Sequence, residues 1–435
     1  MLNEIITEIK KAPKSIIEKP KFRIRERWNM PLEYQGQLIM RHLKLCSYGC
    51  GIPHYFFDLA EDILKSWIGI LYAIKSPILA EGENIIIEKL KIEAGTFTKE
   101  EAAEEYEQLN NFPQHMLPIR VFESFAGYGG ASFGLRRSGI PHVVVGMSEF
   151  DPFASQLLSQ NFPNIRNWGD ITKIDAEELP DFDLFTGGFP CQPFSSAGMQ
   201  LGVDDPYGRG TLIYHILRIV KAKRPQYLLL ENVKGLTQRK FADTFENIKN
   251  ILRELGYGEL AYAVLNSKDY GIPQNRERLW MFARLGGLPA GFDIVPPKEI
   301  LTHRFGDFLD QDPPKELYLS EAQIEHLKVK HHIDSFVVEE PLCFDVYNKK
   351  IKKDALCITI TQPEHNSLRV IEVPGEDGRE IVRKMSIDEQ FRFMGFHDGE
   401  LNYEGQSYSQ MSKRAGNGWD INLVGKLIKH IFAQL

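Results

Sequence analysis

At 435 residues the chain is long enough for two or three domains and a sizeable buried core. Its composition, 43% hydrophobic and 26% charged with no low-complexity tract, excludes fibrous and disordered classes, and five cysteines argue against a disulfide framework. A net charge of −7 does not exclude nucleic acid, because binding depends on where positive charge sits and not on the total.

Residues 1–118 read as a mostly helical, charged extension. Lys10 to Arg27 carries eight Lys/Arg against two Glu, which taken alone is a solvated face. Lys10, Lys11 and Lys14 are not followed by the apolar stretch of a secretory leader. His42, Cys46, Cys50 and His54 recur every four residues, but Gly49, Gly51 and Pro53 interrupt any helix that would align them, so ordinary packing is expected and no metal. The apolar run Ile63 to Ala80 is broken by Lys65, Lys75 and Pro77 and predicts a buried helix instead of a bilayer span. Together these features predict a soluble, cytoplasmic protein with no membrane contact. The extension closes with the acidic stretch Thr96 to Asn111 and with Pro113 to Pro118.

From Ile119 to Arg284, short β-branched or aromatic runs (Arg120–Phe125, His142–Met147, Phe182–Thr186, Gln226–Leu230) alternate with helical stretches (Ala131–Ser138, Pro152–Asn161, Thr211–Lys223, Phe241–Leu255). That rhythm predicts an α/β fold with a mainly parallel sheet, Rossmann-like, and helices on both faces. Residues 285–384 lose the rhythm and read as a smaller second domain. Beyond Ser386 the pattern is helical, and Ile421 to Phe432 has apolar positions at helix spacing.

The chemistry-bearing residues fall at the strand ends. Phe125-Ala126-Gly127-Tyr128-Gly129-Gly130 closes the first strand, where glycines permit a tight turn and the next helix offers its amides. Glu149 ends the second strand, placed to accept ribose hydroxyls, and Gly169-Asp170-Ile171 offers a carboxylate to an adenine amine. This set points to an adenosine-bearing cofactor. The turn Thr186-Gly187-Gly188-Phe189-Pro190-Cys191-Gln192-Pro193-Phe194-Ser195 follows, presenting a thiol where open α/β sheets bind ligands. Glu231-Asn232-Val233 ends the next strand, and Gln274-Asn275-Arg276-Glu277-Arg278 precedes the strand Leu279–Ala283. A thiol, a carboxyl and two guanidiniums are thereby expected at one edge of one sheet.

These segments, in this order over about 300 residues, resemble the C5 cytosine-specific DNA methyltransferase family. The Phe125–Gly130 turn is similar to its cofactor loop, Pro190-Cys191-Gln192 to its nucleophile loop, Glu231-Asn232-Val233 to its acid motif and Gln274 to Arg278 to its Gln-x-Arg-x-Arg. Arg383-Lys384-Met385 with Phe391 to Phe396, and Gly416-Asn417-Gly418, resemble its last motifs.

The resemblance implies S-adenosyl-L-methionine as cofactor, held by Phe125, Gly127, Gly129, Gly130, Glu149, Asp170, Ile171 and Asn417. It implies that Cys191 adds to cytosine C6, that Glu231 protonates or hydrogen-bonds N3, that Arg278 holds O2, and that Arg276 favours the thiolate. The base would be flipped from duplex DNA, with Pro190, Gln192 and Ser195 beside it. Ser196 to Thr211, with its four glycines, would close over the site, and Arg209 would meet phosphate.

Residues 285–384 are expected to recognise the target, first through Cys357 to Arg369, where Thr359, Thr361, Gln362, His365, Asn366 and Arg369 offer base-edge groups. Residues 385–435 would return to the core. A monomer is expected, of bacterial, archaeal or viral origin, with a cognate restriction endonuclease acting separately. Thr359-Ile360 where the family has Thr-Leu is a mild substitution, and two departures stand out: Gly418-Trp419 where the family has Ser or Ala before Val, which predicts a changed cofactor-pocket wall, and residues 1–118, which have no counterpart in the minimal family pattern. The competing readings are a tRNA cytosine-5 methyltransferase on the same core, and a catalytically inactive DNA-binding regulatory subunit. The roughly 100-residue region before Arg383 argues against the first, and intact Cys191, Glu231, Arg276 and Arg278 against the second. An adenosine-cofactor oxidoreductase leaves Pro190-Cys191-Gln192 unexplained.

Overall fold

Apolar residues at helical spacing shape the first part of the chain. In the computed structural model, which describes residues 1–17, 32–46, 55–96, 98, 101, 118–189, 212–363 and 368–435, four longer helices stand there beside a single helical turn at Lys14–Ile17: α1 (Leu2–Lys11), α2 (Leu32–Cys46), α3 (Tyr55–Ala73) and α4 (Glu83–Ala94). Ile5, Ile6 and Ile9 of α1, Leu38 and Ile39 of α2, Ile63, Trp67 and Leu71 of α3, and Ile86 and Leu90 of α4 are buried, the stripe that a 3.6-residue period turns inward. The Trp67 indole donates to Gln35 Oε1 at 2.8 Å, which satisfies two buried polar groups at once. The run Ile63 to Ala80 is thus helical only to Ala73. Pro77 opens a separate 3-10 turn (Pro77–Glu81) capped by Ser76. Among the described residues no helix is long and apolar enough to cross a membrane. Cys50 and His54 lie outside the described residues, and His42 is buried in α2.

By contacts the described chain divides into two compact units, residues 1–120 with 139–144 and residues 121–138 with 145–435. The central sheet has six strands: β1 (Ile119–Ser124), β2 (His142–Ser148), β3 (Leu184–Gly188), β4 (Tyr227–Val233), β5 (Ala261–Asn266) and β7 (Glu277–Arg284), in the order β2-β1-β3-β4-β7-β5. Pairs β1–β3 and β3–β4 are parallel. β7 runs antiparallel to both β4 and β5. Between the strands come α5 (Gly130–Ser138), α6 (Pro152–Asn161), α7 (Leu212–Lys223) and α8 (Ala242–Glu254). The expected mainly parallel α/β sheet is therefore present. β5 is an addition to it: the stretch Ala261 to Leu265 is half-exposed, with Tyr262 and Val264 facing outward, and β7 recruits it as an edge strand. One core cluster, including Phe185, Ile216, Leu230, Ile248 and Met281, joins the sheet to its helices.

A two-residue strand, β6 (Gln274–Asn275), pairs in parallel with β10 (Cys357–Ile358). Around it residues 285–384 build a second, antiparallel sheet from β8 (Leu342–Asp345), β9 (Lys350–Lys352), β11 (Leu368–Glu372) and β12 (Ile381–Arg383), ordered β12-β11-β8-β9. With helix α9 (Glu321–His331) it has its own small core of Ile324, Phe336, Phe344, Ile371 and Val382. Three helices follow: α10 (Ile387–Arg392), α11 (Tyr408–Asn417) and α12 (Ile421–Phe432).

The joint between the second sheet and these helices is charged. Arg383 is fully buried and donates to both oxygens of Glu389, at 2.6 and 2.8 Å, and also to Glu372. Glu389 in turn accepts from the backbone amides of Ser386 and Asp310. Removing one partner of such a buried pair strands the other charge in a medium that cannot solvate it. Arg383→Leu is therefore expected to lower stability by about 3–5 kcal/mol, read as a drop in the denaturant midpoint.

Candidate active site

The first strand of the core ends in a turn that the sequence forces. Phe125, Gly127 and Gly129 all have positive φ (51°, 57° and 89°), which glycine adopts freely and which coils the chain back into α5. The amides at the start of that helix are not all open to a ligand as anticipated. Glu123, at the end of β1, accepts from Ala131 N at 2.9 Å, from Ser132 N at 3.0 Å and from the Ser132 hydroxyl. Burial pushes the Glu123 carboxyl up to about 7 despite those bonds. Sequence reasoning missed this residue; its only signal was an acidic side chain two positions before Phe125.

At the end of β2, Glu149 receives Gly127 N on one carboxylate oxygen and Asp151 N on the other, both at 2.9 Å. A carboxylate accepts about four hydrogen bonds, so capacity for hydroxyl groups remains. Asp170 accepts from the Thr172 amide at 3.0 Å and its hydroxyl at 2.8 Å. Partial burial raises its pKa, but the Thr172 bonds and nearby Lys173 outweigh this and hold it below the usual range. A cavity of about 750 Å³ opens between these elements. Phe125, Gly127, Gly130, Glu149, Asp170, Ile171 and Asn417 all line it. Gly129 does not, because its α-carbon faces the Phe162 ring: a Cβ there would lie 2.4 Å from that ring.

The same cavity is lined by Glu231 and Arg278. Arg278 Nε stands 3.1 Å from Glu231 Oε1, and the Trp419 indole donates to Oε2 at 3.1 Å. Burial drives the Glu231 pKa upward, while Arg278, Arg276 and the indole bond oppose it; the net shift is upward. Gly187 and Gly188, at the end of β3, are required by close approach. A Cβ on Gly187 would fall 2.4 Å from Ser124 Oγ, and one on Gly188 would fall 2.9 Å from Glu231 Oε2. The Asn232 amide donates to the Phe189 carbonyl at 2.9 Å and so pins the chain just beyond β3. Pro190, Cys191, Gln192, Ser195, Arg209 and the closing segment 196–211 lie outside the described residues.

Arg276 takes a different place. It is buried, does not line the cavity, and donates to the carbonyls of Ile360 (3.0 Å), Gly416 (3.0 Å) and Gly418 (2.7 Å). It therefore clamps the segment after β10 to the end of α11, and its charge reaches Glu231 from behind. Gln274 makes a parallel link, accepting from Ile360 N and donating to the Phe393 carbonyl. Thr359 is half-buried and donates to the Asn275 carbonyl at 2.6 Å. Thr361 and Gln362 pass so close to Gly416 that a Cβ there would sit 2.5 Å from the Thr361 carbonyl carbon. Arg369, on β11, is partly buried and donates to the Leu368 carbonyl at 2.7 Å. His365 and Asn366 lie outside the described residues.

Known proteins resemble this chain in sequence and in fold. Residues 119–433 match the sequence profile of the family described as C-5 cytosine-specific DNA methylase. Type II methyltransferase M.NgoBI of Neisseria gonorrhoeae is 34% identical over 311 residues, covering 70% of this chain and 90% of the relative. M.HaeII of Haemophilus aegyptius is 34% identical (71% and 91% covered), and M2.ScrFI of Lactococcus lactis subsp. cremoris 29% (72% and 99%). In fold the chain is similar to the crystal structures of Dnmt2 methyltransferase from S. pombe (TM-score 0.56, 20% identity, 73% of this chain and 98% of that one) and of a DNMT2 variant from Spodoptera frugiperda (0.58, 19%, 72% and 99%). An ordered profile match over nearly three quarters of the chain, on a sheet whose edge gathers Glu231 and Arg278 in one cavity, establishes that the protein belongs to the C-5 cytosine-specific DNA methylase family and is a DNA (cytosine-5)-methyltransferase.

Proposed function

We propose that this enzyme methylates cytosine within one short sequence of duplex DNA, in the manner of a Type II modification enzyme. In this reading Cys191 is the nucleophile and Glu231 the general acid, and the enzyme acts as a monomer beside a separate cognate endonuclease. The observation that carries the reading is that Glu231 and Arg278 line the same cavity as Glu149 and Asp170.

The cavity fits S-adenosyl-L-methionine. Glu149 has acceptor capacity for ribose hydroxyls, Asp170 stands ionised for an amine, and Phe125 and Ile171 offer apolar walls. Bound there, the cofactor supplies an electrophilic methyl group on a sulfonium sulfur. Glu149→Ala removes the ribose acceptor and the bond to Gly127 N together. It is expected to weaken cofactor binding by about tenfold to a hundredfold, measured by calorimetric titration.

The chain's own residues do the rest. Cytosine C5 is a poor nucleophile until a thiolate adds at C6, and Cys191 is the thiol of the turn that follows β3. As the Sγ–C6 bond forms, negative charge moves toward N3, and a proton from Glu231 absorbs it; burial, by raising the Glu231 pKa, favours the protonated form that supplies it. Arg278 holds the cytosine O2. Once C5 has been substituted, its proton leaves to solvent, N3 returns its proton to Glu231 and the Sγ–C6 bond breaks, which regenerates the acid, the thiolate and the aromatic ring.

The reacting atoms are buried in a base stack, so the base must be flipped out, with segment 196–211 closing over it. Residues 285–384 read the target, and residues 1–118 form an extension outside the catalytic core.

Bisulfite sequencing of plasmid DNA from cells expressing the chain tests this. Protected cytosines in one short motif are expected. Methyl transfer to tRNA with none to duplex DNA, or no transfer by a folded protein that binds the cofactor, would overturn the reading.

A further inference from the structure

Glu231 is held from two sides. Arg278 faces Oε1, and the Trp419 indole donates to Oε2. An indole N–H is a donor only, so it serves an oxygen that is charged or doubly bonded and cannot receive a proton back. Trp419 is itself fixed. Its ring meets Trp280, the residue opposite Glu231 in the β4–β7 register, edge-on at 4.8 Å. Its backbone carbonyl accepts the hydroxyl of Tyr128, from the turn between β1 and α5.

Tyr128 in turn stands edge-on to Phe391 and Phe396, at 5.5 and 5.2 Å. Gly418 makes room for it: a Cβ there would lie 2.0 Å from the tyrosine ring. The two departures at the last motif, Gly418 and Trp419, thus belong to one fitted set with Tyr128. Among the described residues, the charged or titratable groups acting on Glu231 besides Trp419 are Arg276 and Arg278 from the β6–β7 segment and Tyr128 from the turn, and the facing end of β3 offers Gly187 and Gly188.

We propose that Trp419 is a positioning residue for Glu231: its indole anchors Oε2 and so sets the plane of the carboxyl that delivers the proton to the base, and the Tyr128 hydroxyl fixes Trp419. This rests on Glu231 being the general acid. The chain of contacts couples the cofactor turn to the acid, so that the carboxyl is aligned before the substrate arrives.

The test is a double-mutant cycle in single-turnover methylation of duplex DNA. Trp419→Phe is expected to slow transfer about tenfold, because it deletes one hydrogen bond to a charged group and keeps the ring. It also removes a bond that favours the carboxylate, so the alkaline limb of the pH–rate profile moves up. In a Glu231→Gln background the same substitution is expected to cost less than about twofold. Tyr128→Phe is nearly isosteric and carries the test should Trp419→Phe fail to fold; it should slow transfer about twofold to threefold, with the limb moving the same way.

An equal cost of Trp419→Phe in both backgrounds, with an unmoved limb, would make Trp419 a cavity wall and overturn the inference. A Glu231→Gln enzyme as fast as wild type would overturn the acid assignment instead.

Discussion

Cys191→Ala is expected to lower methyl transfer by on the order of 10⁴-fold or more, with the melting temperature and cofactor affinity unchanged within error. The thiolate is the only group in the proposed scheme that makes C5 nucleophilic, so without the Sγ–C6 bond nothing lowers that barrier, however well the base is held. The stability half of the expectation follows from position. The segment 187–195 holds two glycines and two prolines beside polar residues, while the core beside its start is filled by Phe185, Phe189 and Leu230. The decisive measurement is single-turnover transfer of labelled methyl to duplex DNA, with thermal melts alongside. Turnover above about 1% of wild type would exclude the covalent route.

Glu231→Gln is expected to slow the chemical step by about 10²–10³-fold while duplex affinity changes less than about threefold. The isostere keeps the size of the side chain and an acceptor for Trp419 Nε1, but it cannot give up a proton. The sign of the pH effect follows from the causes of the shift. Burial raises the Glu231 pKa; Arg278, Arg276 and the indole bond pull it back, and the net displacement is upward.

Wild-type activity should therefore fall as pH rises through that raised value, because the acid form is lost. On the acid side activity should rise with pH as Cys191 ionises, giving a bell. Glu231→Gln should lose the alkaline limb and keep the acid one. The linkage to stability has the same origin: a carboxyl with a raised folded pKa stabilises fully below its unfolded pKa, and this is lost as pH rises through the folded value. The Gln variant should thus melt relatively higher than wild type on the alkaline side. Equal losses in rate and affinity would assign Glu231 a structural role.

Much of the core could be read from local signals. Pro152–Asn161 is helical over the expected span because Asp151 caps it and Pro152 suits its first turn. His142–Met147 forms β2 because a β-branched apolar run buried on both faces has few alternatives. β5 escaped because Ala261 and Ala263 give no alternation strong enough to mark a strand; it exists because β7 has a free edge to fill. The apolar run after Ile63 was read as one helix through Ala80, whereas the helix stops at Ala73 and Pro77 starts a turn.

The sequence by itself determined the α/β class and the order of the motifs, and it singled out Cys191, Glu231, Arg276 and Arg278 as candidate site residues, because each lies in a short contiguous pattern marked by glycines, prolines or strand ends. Only the tertiary structure decided what Glu231, Arg276 and Arg278 touch. Arg276, read as a charge for the thiol, spends its donors on the carbonyls of Ile360, Gly416 and Gly418. Trp419, read as a changed wall, donates to an acid 188 residues away, and Tyr128 reaches across 291 residues to Trp419. The physical reason is common to all three. A buried donor must find an acceptor, and which acceptor is near depends on how the chain returns to the sheet, which no local pattern encodes.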